Sequence, residues 1–290
     1  MQNRRDFIKR ASLLIAGGVV APQILSSCGG APSKVLGLQL YSLRDMVNDE
    51  GIQKVLETVA AMGYTNLEPA SYGDGKLYGL APADLKKRCS DLGLKLVSSH
   101  LSRNLSDDKA ADLAWWTKAT EAHNEAGMKY MVMPMSPLRG ESATLDNIKR
   151  YGEYFSEIGL ITAGASITFG YHNHNFEFDN KVDGVPVYDL LIANSSPDHV
   201  TFQLDVYWIK KGGFEPVDYM KKYPKRIRTL HIKDETAIGA QNTVSYKDVF
   251  EQAYAIGIKD WFVEVERYDT TPQEDVKKSA DFLNAAPFVK

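Results

Sequence analysis

From Val35 onwards the chain alternates short β-rich runs with amphipathic helical stretches, eight of each, and this alternation restricts the fold more than any other feature. The strand candidates are Val35–Leu43, Tyr64–Ala70, Lys95–Leu101, Lys129–Met135, Ile167–Asn175, Val200–Trp208, Ile227–Asp234 and Asp260–Tyr268. Between them, Ile52–Val59 repeats apolar residues at i, i+3, i+4 and i+7, and Pro82 opens a second helix from its first turn. Lys109–Ala126, Leu145–Ala163, Val187–Ala193, Val217–Lys222, Tyr246–Ile256 and Gln273–Ala285 supply the remaining helices. Gly63, Gly93, Gly127 and Gly257 follow helices at the position of a left-handed cap. Eight βα units in this length predict an α/β fold of one (β/α)8 TIM barrel over residues 35–290. A doubly wound open sheet is the alternative, weakened because no GxGxxG turn follows the first strand.

The N-terminal region reads as an address. Arg4 and Arg5, with Phe7 and Lys9, precede the apolar run Ser12–Leu25, which two glycines and Pro22 interrupt. That pattern resembles a Tat export signal. Leu25-Ser26-Ser27-Cys28-Gly29 resembles a lipobox, with Cys28 as the lipidated first residue. The alternative is an ordinary secretory signal with an incidental cysteine. The expected boundaries are a signal over 1–27, a linker over 28–34 and the barrel beyond. The expected location is outside the cytoplasm, periplasmic or attached to the outer membrane by the lipid alone. The only other cysteine, Cys89, sits in a helical pattern and reads as a packed thiol.

Charge excludes one class of partner. Removing Arg4, Arg5, Lys9, Arg10 and Asp6 from 34 basic and 37 acidic residues leaves 30 and 36, a net charge near −6. Nucleic-acid binding needs concentrated positive charge.

In a TIM barrel the chemistry collects at the C-terminal ends of the strands. The polar groups there are Gln39 and Tyr41, Glu68, His100, the run Tyr171–Glu177, Gln203 and Asp205 to Trp208, His231 to Asp234, and Glu264 with Glu266. A lone strand histidine is by default a hydrogen-bonded core residue. Four of them, converging with Glu68, Glu177, Asp205 and Glu264 at one end of a barrel, are costly unless a metal or a substrate organises them. His123 in a helix and His199 in a turn read as solvated or capping residues. Period-two geometry puts His172 and His174 on one face, so either could be a ligand. The set His172, Asp205, His231 and Glu264 offers two imidazoles and two carboxylates, which suits Mn²⁺, Co²⁺, Zn²⁺ or Fe²⁺. Glu68, Glu177, Gln39, Tyr41 and Trp208 are candidates for contacting substrate. Trp115 and Trp116 read as core or interface packing.

These residues carry a resemblance. Gly37–Asp45, the Tyr-His-Asn-His-Asn-Phe-Glu-Phe run of Tyr171–Phe178, Leu204–Trp208, His231–Asp234 and Phe262–Glu264 resemble the sugar phosphate isomerase/epimerase family of xylose isomerase-like TIM barrels, over essentially all of Val35–Lys290. The resemblance implies one divalent ion, Mn²⁺, Co²⁺, Zn²⁺ or Mg²⁺, and a sugar or glycoside substrate. The family's metal set is Glu, Asp, His and Glu, and Asp205, His231 and Glu264 match it in type and order. The intervals are 33, 26 and 33 residues from His172 to Asp205, His231 and Glu264 in turn. His172 departs from the family, standing where the epimerases carry a glutamate that also serves as one of their two acid/base groups. The resemblance therefore implies isomerase or epimerase activity by proton abstraction beside a carbonyl, with dehydration or β-elimination on keto-sugars, 3-keto-glycosides or keto-inositols as the alternative. Glu264 is then the candidate base, and His174, Lys233 and His100 the candidate proton shuttles. A nuclease of the same superfamily is disfavoured, because it needs more histidines around Asp205, where this chain has Trp208. A sugar-binding lipoprotein without turnover is the reading from a different class.

Overall fold

Gly63, Gly93, Gly127 and Gly257 stand at φ +90°, +74°, +81° and +83°, each turning the chain from the end of a helix into a strand. Between these turns, the computed structural model, which describes residues 34–290, shows eight parallel strands. They are β1 (Gly37–Gln39), β2 (Asn66–Glu68), β3 (Lys95–Leu96), β4 (Tyr130–Met133), β5 (Thr168–His172), β6 (Val200–Asp205), β7 (Ile227–Lys233) and β8 (Asp260–Glu264). Each pairs with its neighbour in sequence except β3 with β4, and β1 pairs with β8. The ring closes between β3 and β4 through a parallel bridge from His100 to Val132 and the Val132 N–H to Ser99 carbonyl bond of 2.8 Å. The principal helices are α1 (Ile52–Ala61), α2 (Pro82–Asp91), α3 (Lys109–Ala126), α4 (Leu145–Ala163), α5 (Val187–Asn194), α6 (Pro216–Lys222), α7 (Tyr246–Ala255) and α8 (Pro272–Ala285). This is the expected (β/α)8 arrangement. The twin arginine and Cys28 lie outside the described residues.

Strand parity sorts the side chains. On β5 to β7, Phe169, Tyr171, Phe202, Leu204, Leu230 and Ile232 are buried in the hydrophobic core that includes the helices' apolar faces. The alternate residues, His172, Gln203, Asp205, His231 and Lys233, are buried polar groups of the opposite parity. An irregularity in the β6–β7 pairing completes the arrangement. Phe202 pairs with Ile227 but Gln203 pairs with Thr229, so Arg228 is passed over and Asp205 comes to lie opposite His231.

Several strands stop earlier than their β-rich runs suggest. Asp205 ends β6 because its carboxylate accepts from the N–H groups of Tyr207 (2.9 Å) and Trp208 (2.7 Å), capping a short helix over Val206–Lys211. The first run gives way after Gln39 to a 3-10 turn, Leu40–Leu43, and Gln39 caps it by accepting from Tyr41 N–H. Two small hairpins were not expected, Tyr72–Gly73 with Lys76–Leu77 and Lys181–Val182 with Val185–Pro186. Both turn on Asp-Gly, with Asp74 and Asp183 at φ 50° and Gly75 and Gly184 at 75° and 81°. His123 departs from its solvated reading, being fully buried in α3 beside the Tyr72 ring with Nδ1 2.6 Å from the Ala119 carbonyl oxygen. Cys89 is a free, buried thiol, and Trp116 is a core residue that donates from Nε1 to Tyr154 Oη.

Candidate metal centre

The ends of β5, β6, β7 and β8 bring one donor atom each of His172, Asp205, His231 and Glu264 within 4.8 Å of one another, all on buried residues. His231 Nδ1 lies 3.3 Å from Glu264 Oε2 and 4.0 Å from Asp205 Oδ2. Asp205 divides its carboxylate between two tasks. Oδ1 caps the following helix, while Oδ2 is buried and has no hydrogen-bond partner. A buried carboxylate oxygen without a partner is costly, and a cation held by the mixed nitrogen and oxygen set relieves that cost. The residues present therefore fit a divalent ion. His174, two residues beyond His172, stands outside this group, its ring 5.0 Å from that of His172.

The surroundings hold the four groups in different charge states. Burial pushes the Asp205 carboxyl up to about 7, with Lys233 opposing and Glu264 reinforcing the rise. Burial also raises Glu264, but the charges of Lys233 and His231 outweigh it and hold Glu264 well below the usual carboxylate range. Burial disfavours charge on His231, yet Glu68 and Glu264 on either side raise it to about 10. His172, with burial and three neighbouring imidazoles, is held well below its ordinary value and is neutral. Lys233 stays charged despite burial because Glu264 and Glu266 flank its ammonium at 3.2 and 2.8 Å.

Behind these side chains lies a closed polar layer. Glu68 Oε2 meets His231 Nε2 at 2.5 Å and accepts from Gln39 Nε2 at 2.8 Å, and its Oε1 accepts from Gln203 Nε2 at 2.8 Å. Gln203 Oε1 in turn lies 2.6 Å from His100 Nε2 and 3.2 Å from His172 Nδ1. Glu68 and Gln39, expected to contact substrate, are instead fully buried with their polar atoms bonded within the protein. Glu177 is placed likewise. It is fully buried, bonded to Tyr171 Oη, and accepts from the His174 N–H at 2.8 Å.

A cavity of about 350 Å³ opens over the centre. His100, His172, His174, Glu264 and Glu266 line its polar side, and Tyr41, Tyr72, Leu101 and Met135 its apolar side. Tyr41 and Met135 are 44% and 41% exposed, unusual for large apolar side chains in this molecule. Trp208 is not among the lining residues; its ring lies 5.6 Å from that of His174 and 5.7 Å from the Lys233 ammonium. Glu266 and Gln203 stood among the strand-end polar groups of the sequence without a role in the site, and Tyr72 and Met135 were not singled out. Parity gave a signal for the first two, each two residues from a proposed ligand. Tyr72 reaches the cavity on the first small hairpin, and Met135 lies two residues beyond the end of β4.

Comparison with known proteins places this geometry. The family model of the xylose isomerase-like TIM barrel matches residues 56–286. A solved sugar phosphate isomerase/epimerase from Parabacteroides distasonis is 37% identical, with a TM-score of 0.83 over 90% of this chain and 99% of that one. The inosose dehydratase of Geobacillus kaustophilus is 24% identical over 203 residues, 62% of this chain and 61% of the relative, so the chain spans about three fifths of that relative's length. The solved IolI protein with a bound zinc atom shares the fold at 16% identity, with a TM-score of 0.67 over 88% of this chain and 98% of that one.

Proposed function

Because this chain belongs to the xylose isomerase-like TIM-barrel family, whose members similar to it are isomerases, epimerases and dehydratases, we propose that it is a divalent-metal-dependent enzyme that removes a proton next to a sugar carbonyl. The observation that carries this reading is the convergence of His172, Asp205, His231 and Glu264 beside a cavity that His172 and Glu264 line, with an orphaned buried carboxylate oxygen among them. A zinc atom in the IolI protein, which has the same fold, lends support.

His172, Asp205, His231 and Glu264 would hold the ion. When bound, it supplies Lewis-acid polarisation of the substrate's carbonyl oxygen. Glu264, ionised and facing the cavity, takes the proton from the adjacent carbon. Lys233 keeps Glu264 ionised and oriented through the 3.2 Å contact. His174, neutral because burial holds it at about 4, and His100 line the cavity and exchange protons with substrate oxygens.

A specific observation favours elimination over symmetric epimerisation. At the β5 end this chain offers an imidazole where an epimerase needs a second carboxylate, and Glu177 is locked beneath the site. Loss of a β-hydroxyl or β-alkoxy group needs one base, and the proton that Glu264 removes is returned to the leaving oxygen through the neutral imidazole of His174 or His100, so a single carboxylate suffices. The similarity to an inosose dehydratase agrees. The test is proton NMR of the protein with keto-sugars, keto-inositols and 3-keto-glycosides in deuterated water. Exchange or loss of the proton beside the carbonyl supports the reading. Complete retention of that proton across the panel, with metal bound, favours the binding-protein alternative.

The N-terminal pattern supports a companion reading, in which the enzyme is exported, acylated at Cys28 and held at a membrane by that lipid. Its substrate is then a sugar or glycoside met outside the cytoplasm.

A further inference from the structure

Gln203 is central to the buried polar layer, and chemistry fixes its orientation. Its Nε2 lies 2.8 Å from Glu68 Oε1, and an ionised carboxylate only accepts hydrogen bonds, so the NH₂ end faces Glu68. The carbonyl end, Oε1, therefore points to the histidines, 2.6 Å from His100 Nε2 and 3.2 Å from His172 Nδ1. An amide oxygen donates nothing and has two lone pairs, so both ring nitrogens meet it as N–H. A neutral imidazole carries one N–H. His172 is thus left with its lone pair at Nε2.

We propose that Gln203 is the positioning residue of the metal centre: by accepting from His172 Nδ1–H it makes Nε2 the nitrogen that His172 offers to the ion. This rests on the metal-dependent reading above. A carboxylate at the end of β5 needs no such device, because both its oxygens are always acceptors. A histidine there is a ligand through one nitrogen only, and its tautomer has to be chosen by what the other nitrogen bonds. Gln203 makes that choice, and Glu68 keeps Gln203 the right way round. His174 lacks such a partner, since its Nδ1 is buried and unbonded. His231 shows a parallel geometry, with Nε2 facing Glu68 and Nδ1 turned towards Asp205 and Glu264, the side from which an ion would displace the Nδ1 proton.

The experiment reads tautomers and zinc affinity, not turnover. Long-range ¹H–¹⁵N correlation on ¹⁵N-histidine-labelled protein, with zinc titrated against a chromophoric chelator, is applied to the wild type and to Gln203→Met and Gln203→Glu. In the wild type, His172 is expected in the Nδ1–H form before zinc is added, and its Nε2 resonance shifts on binding. Gln203→Met, similar in length but with no acceptor, loses the single tautomer and about 10- to 100-fold in zinc affinity. Gln203→Glu restores the acceptor, the Nδ1–H form and part of the affinity, which a merely structural role for Gln203 does not predict. A His172 Nδ1 shift on zinc binding, or a Met variant with unchanged tautomer and affinity, overturns the role of Gln203 while leaving the metal reading intact. Loss of zinc stoichiometry in His174→Ala overturns the choice of His172. A wild-type chain with the Nδ1–H form that takes up no zinc overturns the metal reading, and this one with it.

Discussion

Glu177 illustrates how a residue's environment overrides its type. Burial pushes its carboxyl up to about 8, against the bonds from Tyr171 and the His174 N–H. The hydrogen bonds agree with a protonated acid. Tyr171 Oη has one hydrogen and two close oxygens, Glu177 Oε1 and Ser136 Oγ at 2.9 Å. If Glu177 donates to Tyr171 and Tyr171 donates to Ser136, every group is satisfied. A carboxyl whose pKa is raised on folding binds a proton that the unfolded chain has lost. Its folding contribution therefore falls as pH rises from about 4.5 to about 8 and is flat above that. Glu177→Gln, which keeps a donor for Tyr171 and an acceptor for His174, should remove this slope. Thermal melts from pH 5 to 9 check it: a variant that loses stability with pH as steeply as the wild type refutes the protonated state. Glu264 is the opposite case, ionised and open to the cavity. Glu264→Gln should cost at least 10²-fold in turnover on the true substrate. A single-digit effect removes it from the base role. The sequence made Glu264 a candidate ligand and base and Glu177 a candidate substrate contact, and did not reveal that Glu177 is sealed below the site, because a carboxylate's neighbours across the barrel are invisible in a linear pattern.

Helix α4 shows what the sequence does and does not reveal at the scale of an element. Its amphipathic period and the Thr144 cap, which accepts from Asn147 N–H at 3.2 Å, are local and readable. Gly152 and Gly159 within it look like weak points, since glycine in a helix interior costs about 1 kcal/mol against alanine. The packing explains them. A Cβ on Gly152 would lie 2.3 Å from the Asn194 carbonyl oxygen, and on Gly159 2.2 Å from that of His199. Gly159→Ala should therefore destabilise by about 1–3 kcal/mol, as overpacking does, instead of stabilising by propensity. Chemical denaturation decides between the two signs. The Asp-Gly hairpins were legible as turns but passed over, because two-residue strands carry no alternation of their own.

At the scale of the whole molecule, four strands each contribute one group to the centre, so an ion bound there would couple to the barrel's stability. A chelator should lower the melting temperature and zinc should restore it, by RT ln(1 + [Zn]/Kd) in free energy. Asp205→Asn keeps the helix cap but loses the charge at Oδ2, and should abolish the response; an unchanged zinc shift in this variant places the ion elsewhere. Cys28→Ser should move the protein from the membrane fraction to the soluble one, and retention at the membrane rules out the lipid anchor. The βα alternation, the glycine stops and the strand-end polar residues are local properties, and by themselves they determined a barrel with a polar, metal-suited end. Which of these residues meet was decided by tertiary structure. Asp205 faces His231 only because the β6–β7 register passes over Arg228, and Glu68 stands behind His231 only because β1 pairs with β8 and the curled sheet brings β2 across to β7. Register and closure arise from pairing between distant segments, and no local period encodes them.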